Sequence, residues 1–400
     1  MTLEVHLIAG TRPEAIKLAP VAEQLRAAGR LTPVLVASGQ HPTMVGQALA
    51  AFGDRPDASL PLHRTTGSQP ELLAGLIQSL EAHLSAHQPA AVVVQGDTTT
   101  TLAGALAGFW QRVPVVHLEA GLRSGDLDSP FPEEGNRRLV AALARLHLAP
   151  TPTAAANLRA EGIPPEQIMV TGNTVVDAAQ SVARRRAPFT DQTLADWSAL
   201  AAGGRARLLL VTVHRRESWG APLEQILAAV RAMLARHPDL RVVLPSHPNP
   251  AVRAQVDAGL SGTDRALVTE PLPYGELMRL LSEAYLVLTD SGGIQEEAPS
   301  FGVPALVLRD VTERMESVDA GCAALVGTDR DRILAAAEPL LHHPSRRAAM
   351  VAGGSPYGDG KASVRTEQAV AELLGVAHLR TGHAGVPRPR RTRSPAPVPR

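Results

Sequence analysis

The chain has 400 residues, 44% of them apolar and 20% charged, with a formal net charge of zero. That length exceeds one ordinary core and suits two domains with a tail, while the neutral balance gives no overall attraction to nucleic acid or an acidic membrane. Cys322 is the only cysteine, which excludes an internal disulfide and a cysteine-based zinc site.

No apolar run reaches spanning length, and a strand-like segment, Leu3 to Ala9, opens the chain without a signal segment. The expectation is a soluble cytoplasmic enzyme. Val5–Ala9 is the first predicted strand, and its end, Gly10-Thr11-Arg12-Pro13-Glu14, passes at once into a helix, Pro13–Ala28. Gly10 permits the tight turn and Pro13 suits the first helical position. A helix N-terminus there, with Arg12 and Lys17 beside it, attracts anions. The plainer reading makes both of them solvated helix charges, with Lys17 pairing to Glu14 three residues back. Lys17 and Lys361 are the only lysines among 39 basic residues. A GC-rich coding bias accounts for the arginines, and the surviving lysines can mark sites that need a compact ammonium.

Strands follow at Pro33–Ala37, Ala91–Gln95, Val115–Glu119 and Leu146–Ala149, with helices at Pro70–His87, Thr99–Gln111 and Glu133–Arg145. Near-continuous apolar runs such as AAVVV and VPVVHL suit a parallel sheet covered on both faces. The β–α alternation implies a doubly wound sheet with right-handed crossovers. Ligands of such sheets gather beyond the C-terminal strand ends, so the acids there are the candidates. Asp97 follows one strand in Gln95-Gly96-Asp97-Thr98, where it could equally cap a helix. Glu119 ends VPVVHL and must be paired or sit in a cleft. Glu133 heads Pro132-Glu133-Glu134-Gly135-Asn136-Arg137, a start that dipole pairing alone could explain. Asp126 and Asp128 form an Asp-x-Asp pair too common in loops to count, and no metal is assigned.

After a short strand, Gln167–Val170, the pattern restarts, and the domain change is placed near Thr171–Val176. Strands are expected at Arg207–Val213, Arg241–Leu244, Leu286–Thr289 and Ala305–Leu308, with helices near Pro222–His237, Tyr274–Ala284 and Ile294–Ser300. His214-Arg215-Arg216 at a strand end suits a pyrophosphate or proton-transfer role, and Ser246-His247-Pro248 repeats the arrangement. In Asp290-Ser291-Gly292-Gly293-Ile294-Gln295-Glu296-Glu297, a strand, a Ser-Gly-Gly turn and a helix offer a backbone cradle for phosphate. Glu297, one turn on, can reach a pair of ribose hydroxyls. A Gly-Lys-Ser/Thr loop and a Gly-x-Gly-x-x-Gly turn are both absent. The domains are therefore read as 1–170 and 171–363. A helix near 364–375 is expected to pack back on the first, and an Arg/Pro-rich stretch, 381–400, has too little apolar content to fold.

With GTRPEAIKLAP, QGDTTT, HLEAGLRSGD, PFPEEGNR, TGNTVVDA, TVHRRES, LTDSGGIQEEAPSFGVP and RDVTERMES in view, the chain from Val5 to about Gly375 resembles the non-hydrolysing bacterial UDP-N-acetylglucosamine 2-epimerases. The resemblance implies a GT-B type α/β fold, two Rossmann-like doubly wound domains facing a central cleft, and a homodimer. It implies Asp97, Glu119 and Glu133 as catalytic carboxylates, with His214 on the diphosphate or assisting proton transfer. Arg12, Lys17, Arg137, Ser291, Gly292, Gly293, Glu297 and Arg314 would bind the UDP-sugar, and Leu272 and Leu277 fall loosely where the family places its uracil contacts. Ser218 replaces an asparagine usual after HRRE. A regulatory UDP-N-acetylglucosamine site would involve Gln40, His41, Arg215 and His247, but Thr43 stands where relatives carry a glutamine.

C2 of such a sugar is not next to a carbonyl, so its proton is too weakly acidic for simple abstraction. The reasonable path loses UDP first and then the C2 proton, giving a bound glycal. It needs carboxylates near a developing cation and cations on the departing diphosphate, but no cofactor. A 2-epimerase for a related diacetamido sugar would keep these motifs, whereas a hydrolysing epimerase would release free N-acetylmannosamine. A GT-B glycosyltransferase would share the cleft but need an acceptor site.

Overall fold

The structure is a computed structural model that describes residues 2–41 and 43–377, so the stretch 381–400 lies outside the described residues. Two parallel sheets organise it. The first holds β1 (Leu3–Ala9), β2 (Leu31–Ala37), β3 (Ala58–Ser59), β4 (Ala91–Gln95), β5 (Val115–Leu118), β6 (Leu146–Ala149) and β7 (Ile168–Val170), in the order β3-β2-β1-β4-β5-β6-β7. The second holds β8 (Arg207–Thr212), β9 (Leu240–Pro245), β10 (Ala266–Thr269), β11 (Leu286–Thr289), β12 (Ala305–Val307) and β13 (Ala323–Leu325), in the order β10-β9-β8-β11-β12-β13. Both are Rossmann-like, and together they make the GT-B arrangement.

The continuous apolar strands have the physical consequence expected of them. Val5, Leu7 and Ala9 point into one core while Ile8 points into another, so both faces of the first sheet are covered. In the second sheet, Leu208 and Leu210 join the first of these cores, and Leu209 and Val211 enter a third. One apolar cluster thus runs through both lobes. It is carried by the helices Arg12–Ala28, Thr174–Arg185 and Tyr274–Glu283 and by the final helix, Ala362–Leu373, which packs on the first of them.

Several element bounds differ from those the sequence suggests. The stretch Thr171–Val176 runs into a helix, Thr174–Arg185, that buries Val175 and Val176 beside Tyr357 and Val182 in the cluster shared by both lobes. The final helix starts at Ala362 because the buried Asp177 accepts from the Ala362 and Ser363 amides at 3.1 and 2.8 Å, a cap supplied from 185 residues away. Strand β5 stops at Leu118, and Glu119 takes a left-handed backbone with φ +64°. The segment expected as a helix over Ile294–Ser300 starts at Gly292 and tightens to 3-10 geometry at Ala298. Among the described residues, no helix is long and apolar enough to cross a membrane.

Candidate active site

In each sheet the strand order reverses at one place, between β1 and β4 in the first and between β8 and β11 in the second. Loops leave such a reversal in opposite directions and open a crevice beyond the strand ends. Arg12 and Lys17 stand beyond β1, Asp97 beyond β4, His214 beyond β8, and Ser291 to Glu297 beyond β11. A cleft of about 490 Å³ lies between the two reversals, lined from the first lobe by Arg12 and Lys17 and from the second by His214, His247, Ser291, Gly293, Glu296, Glu297 and Arg314. Leu272 and Leu277 supply apolar wall.

On the first lobe, Lys17 is buried and does not pair with Glu14. Its Nζ donates to Glu119 Oε1 at 2.5 Å and lies 3.3 Å from Glu296 Oε2 of the other lobe. Burial works against the ammonium, but the two carboxylates outweigh it and raise its pKa above the ordinary lysine value. Glu14 is committed elsewhere. It accepts from the Gly10 and Thr11 amides at 2.9 and 2.7 Å and from the Thr98 hydroxyl at 2.6 Å, tying the β1 loop to the β4 loop.

Glu119 also accepts from Asn173 Nδ2 at 2.8 Å and from the Gln95 amide. Its left-handed backbone turns the side chain back toward Gly96, where an added Cβ would sit 3.6 Å from Oε2. Asp97 is held by Arg137 through Nε and Nη2 at 2.8 and 2.7 Å, a two-pronged contact. Asn136 fixes the same turn by donating to the Asp97 carbonyl at 2.8 Å. Glu133 opens the helix Glu133–Leu143, half-buried and outside any ion pair among the described residues. Asp97, Glu119, Glu133 and Arg137 do not line the cleft directly; Glu119 reaches it through Lys17.

On the second lobe, His214 is half-exposed, and its Nδ1 lies 2.8 Å from Oδ1 of the fully buried Asp290. Asp290 accepts as well from the Arg215 amide at 3.0 Å and the Ser218 hydroxyl at 2.9 Å. Burial would raise the Asp290 carboxyl, but His214 and these donors outweigh it and hold it below its usual range. The residue that departs from the family pattern, Ser218, is thus one of the groups fixing the anion behind His214. Ser291 caps the short helix Gly292–Glu297. A Cβ at Gly292 would lie 3.4 Å from Glu313 Oε1, in ordinary van der Waals contact. Arg314 donates through Nε to Glu296 Oε1 at 2.8 Å. Burial pushes the Glu297 carboxyl up to about 7, and the Tyr274 hydroxyl donates to it at 2.9 Å.

Of the expected regulatory residues, only His247 lines the cleft. Gln40 Oε1 accepts from the Thr100 hydroxyl at 2.7 Å, His41 is exposed, and Arg215 lies 3.5 Å from both Glu217 and Glu313. Glu296, Asp290 and Asn173 make site contacts that the sequence motifs do not single out. The available signal was local. Two adjacent acids follow a glycine pair, and an acid follows a largely apolar buried strand, where an unpaired charge would be costly.

The chain is similar to proteins of one group throughout. The sequence model of the family described as "UDP-N-acetylglucosamine 2-epimerase" matches residues 23–371. A Yersinia pestis protein named UDP-N-acetylglucosamine 2-epimerase is 42% identical over 370 residues, covering 92% of this chain and 98% of its own length. The structure of the Neisseria meningitidis UDP-GlcNAc 2-epimerase bound to UDP-GlcNAc is similar with a TM-score of 0.79 and 38% identity, covering 93% of this chain and all (100%) of that one. A Staphylococcus aureus MnaA structure with UDP is similar with a TM-score of 0.82 and 39% identity, covering 96% of this chain and 100% of that one.

Proposed function

Because the chain belongs to the UDP-N-acetylglucosamine 2-epimerase family, we propose that it inverts C2 of UDP-N-acetylglucosamine to give UDP-N-acetylmannosamine, without a cofactor, by elimination and re-addition of UDP. The observation that carries this reading is the cleft itself. From the first lobe Arg12 and Lys17 face the glycine-rich turn of the second, and Lys17 ties Glu119, behind the cleft wall, to Glu296 across it.

In this reading Ser291, Gly292, Gly293 and Arg314 hold the diphosphate, and Glu297 takes the ribose hydroxyls. Arg12, Lys17 and His214 face the departing phosphate oxygens and offset the charge that grows on them as the C1–O bond breaks. The oxocarbenium character left at C1 acidifies the C2 proton. One of Asp97, Glu119 and Glu133 removes that proton to give a glycal, another returns one to the opposite face, and UDP re-adds at C1. Arg137 orients Asp97. The buried Asp290 fixes the ring of His214 so that Nε2 faces the cleft.

The same reading takes the enzyme to be cytoplasmic and homodimeric. Exposed Phe109, Trp110 and Leu139 on the neighbouring helices Thr99–Trp110 and Glu133–Leu143 support a second copy as the partner. With Thr43 in place of glutamine and Gln40 bonded to Thr100, activation by the gluco substrate through a second site is expected to be weak.

The test is turnover in heavy water with substrate labelled at the C1–O–P bridge oxygen. Deuterium at C2 of every product molecule, with label scrambled into non-bridging phosphate positions, is the expected result. Inversion with the bridge oxygen unscrambled would overturn the elimination path. Failure to invert this sugar at all would move the substrate to a related UDP-sugar.

A further inference from the structure

A second cluster of reactive side chains lies on the outer side of the second lobe and belongs to none of the sequence motifs. His237 ends the helix Ala221–Arg236, while Glu338 and His342 lie one turn apart on the helix Arg330–His342. The Nε2 atoms of both histidines converge on one carboxylate oxygen, Glu338 Oε2, at 3.0 Å from His237 and 3.1 Å from His342. The three atoms all lie within 4.8 Å of one another. Beside them opens a cavity of about 360 Å³, lined by Arg236, Glu338, His342, His343 and Arg346.

We propose that His237, Glu338 and His342 form a binding site for a divalent cation of the zinc class, clipping the helix Ala221–Arg236 to the helix Arg330–His342. This inference stands apart from the epimerase reading. Two imidazoles and one carboxylate are the ligand set that zinc accepts, with metal–ligand bonds of about 2.0–2.2 Å. At tetrahedral angles such bonds separate neighbouring ligand atoms by about 3.3 Å, close to the two nitrogen–oxygen distances observed here. The spacing of Glu338 and His342, four apart on one helix, puts both ligands on the same face. The open side toward the cavity leaves a fourth position for water.

The supporting shell is partly in place. Arg236 donates to the other carboxylate oxygen, Glu338 Oε1, at 3.0 Å, which orients Oε2 toward the histidines. Loading moves each histidine proton from Nε2 to Nδ1. On His237 that turns the 3.4 Å contact with Arg207 Nη2 into a donor facing a donor. Arg207 does not depend on that contact, because Asp239 holds it at 2.6 and 2.8 Å and the Leu341 carbonyl at 2.6 Å. His342 is more than half exposed and can pass its Nδ1 proton to water.

The experiment takes the full chain, stripped with a chelator and dialysed, and titrates it with zinc chloride by calorimetry while melting is followed in parallel. One zinc per chain and a raised Tm are expected in the wild type. His342→Ala, at an exposed position, and Glu338→Gln should each weaken that binding by about tenfold or more and abolish the Tm increase. Circular dichroism checks that both variants are folded, and epimerase turnover in His342→Ala should match wild type with and without chelator. Absence of stoichiometric zinc in the wild type would overturn the proposal. So would zinc binding that is unchanged in both variants, because the ion would then sit elsewhere, and the hydrogen-bonded trio would be a structural contact only.

Discussion

The two sheets reverse strand order in the same way, yet their reversals are equipped differently. Beyond β1, β4 and β5 the candidate groups Lys17, Asp97 and Glu119 are side chains locked to other side chains. Glu119 is held by Lys17, Gln95 and Asn173, and Asp97 by Arg137. Beyond β8 and β11 the frame is mostly backbone, with the His214 and Arg215 amides folded onto the buried Asp290 and a serine-capped glycine turn. Topology fixes where a ligand can lie in both lobes, whereas side-chain chemistry divides the labour. The first lobe holds acids at defined angles and suits proton transfer. The second offers donors and a half-exposed imidazole backed by Asp290, which suits a nucleotide diphosphate.

That division can be broken most directly at the acids. Glu119→Gln and Glu133→Gln should each lower turnover by about two powers of ten or more, the scale of losing an acid–base group, while UDP still binds. Steady-state kinetics beside calorimetry checks this. Loss of UDP binding without loss of the chemical step would reverse the assignment of the lobes. On the other side, Glu297→Ala should weaken UDP binding about tenfold or more, as expected for a charge-assisted contact to paired hydroxyls. Unchanged affinity would remove Glu297 from the nucleotide site.

The contact behind His214 sharpens the comparison at a finer scale. Ser218→Ala removes one donor from the buried Asp290 and should slow turnover by about tenfold with KM little changed, because a hydrogen bond to a charged group is worth ~1.5–3 kcal/mol. Ser218→Asn, which restores a polar donor, should recover most of that loss. Equal kcat in all three proteins would mean that the backbone amides alone position His214.

The smallest effect is on stability. Burial raises Glu297 from 4.5 to about 7, so the folded chain binds more protons than the unfolded chain between those values. Its contribution to stability is full below about pH 4.5 and is lost as pH rises through about 7. Tm of Glu297→Gln should therefore fall less over that window than Tm of the wild type. Parallel slopes in a pH series of melting curves would contradict the buried, protonated state.

Much of the architecture was legible because the signals are local. Apolar strands, Gly10 and the Ser-Gly-Gly turn act within a few residues, and they announced two parallel α/β units and the strand ends that matter. The helix Thr174–Arg185 is not legible in its own segment, because its buried face has meaning only once two lobes pack on it. Lys17 is the sharpest case. Helical spacing alone offers Glu14 as its partner, but Glu14 is drawn to the Gly10, Thr11 and Thr98 donors, and Lys17 pairs instead with Glu119, 102 residues on.

By itself, then, the sequence determined the fold class, the family and the loops at which ligand chemistry collects, since periodicity and turn residues act over short range. The tertiary structure alone decided which charges meet. Glu296 reaching Lys17 across the cleft, Asp290 held beneath His214 and His237 converging with His342 on Glu338 all depend on distant segments being brought together. A buried charge takes whichever partner lowers its desolvation cost most, and that choice is made in space rather than along the chain.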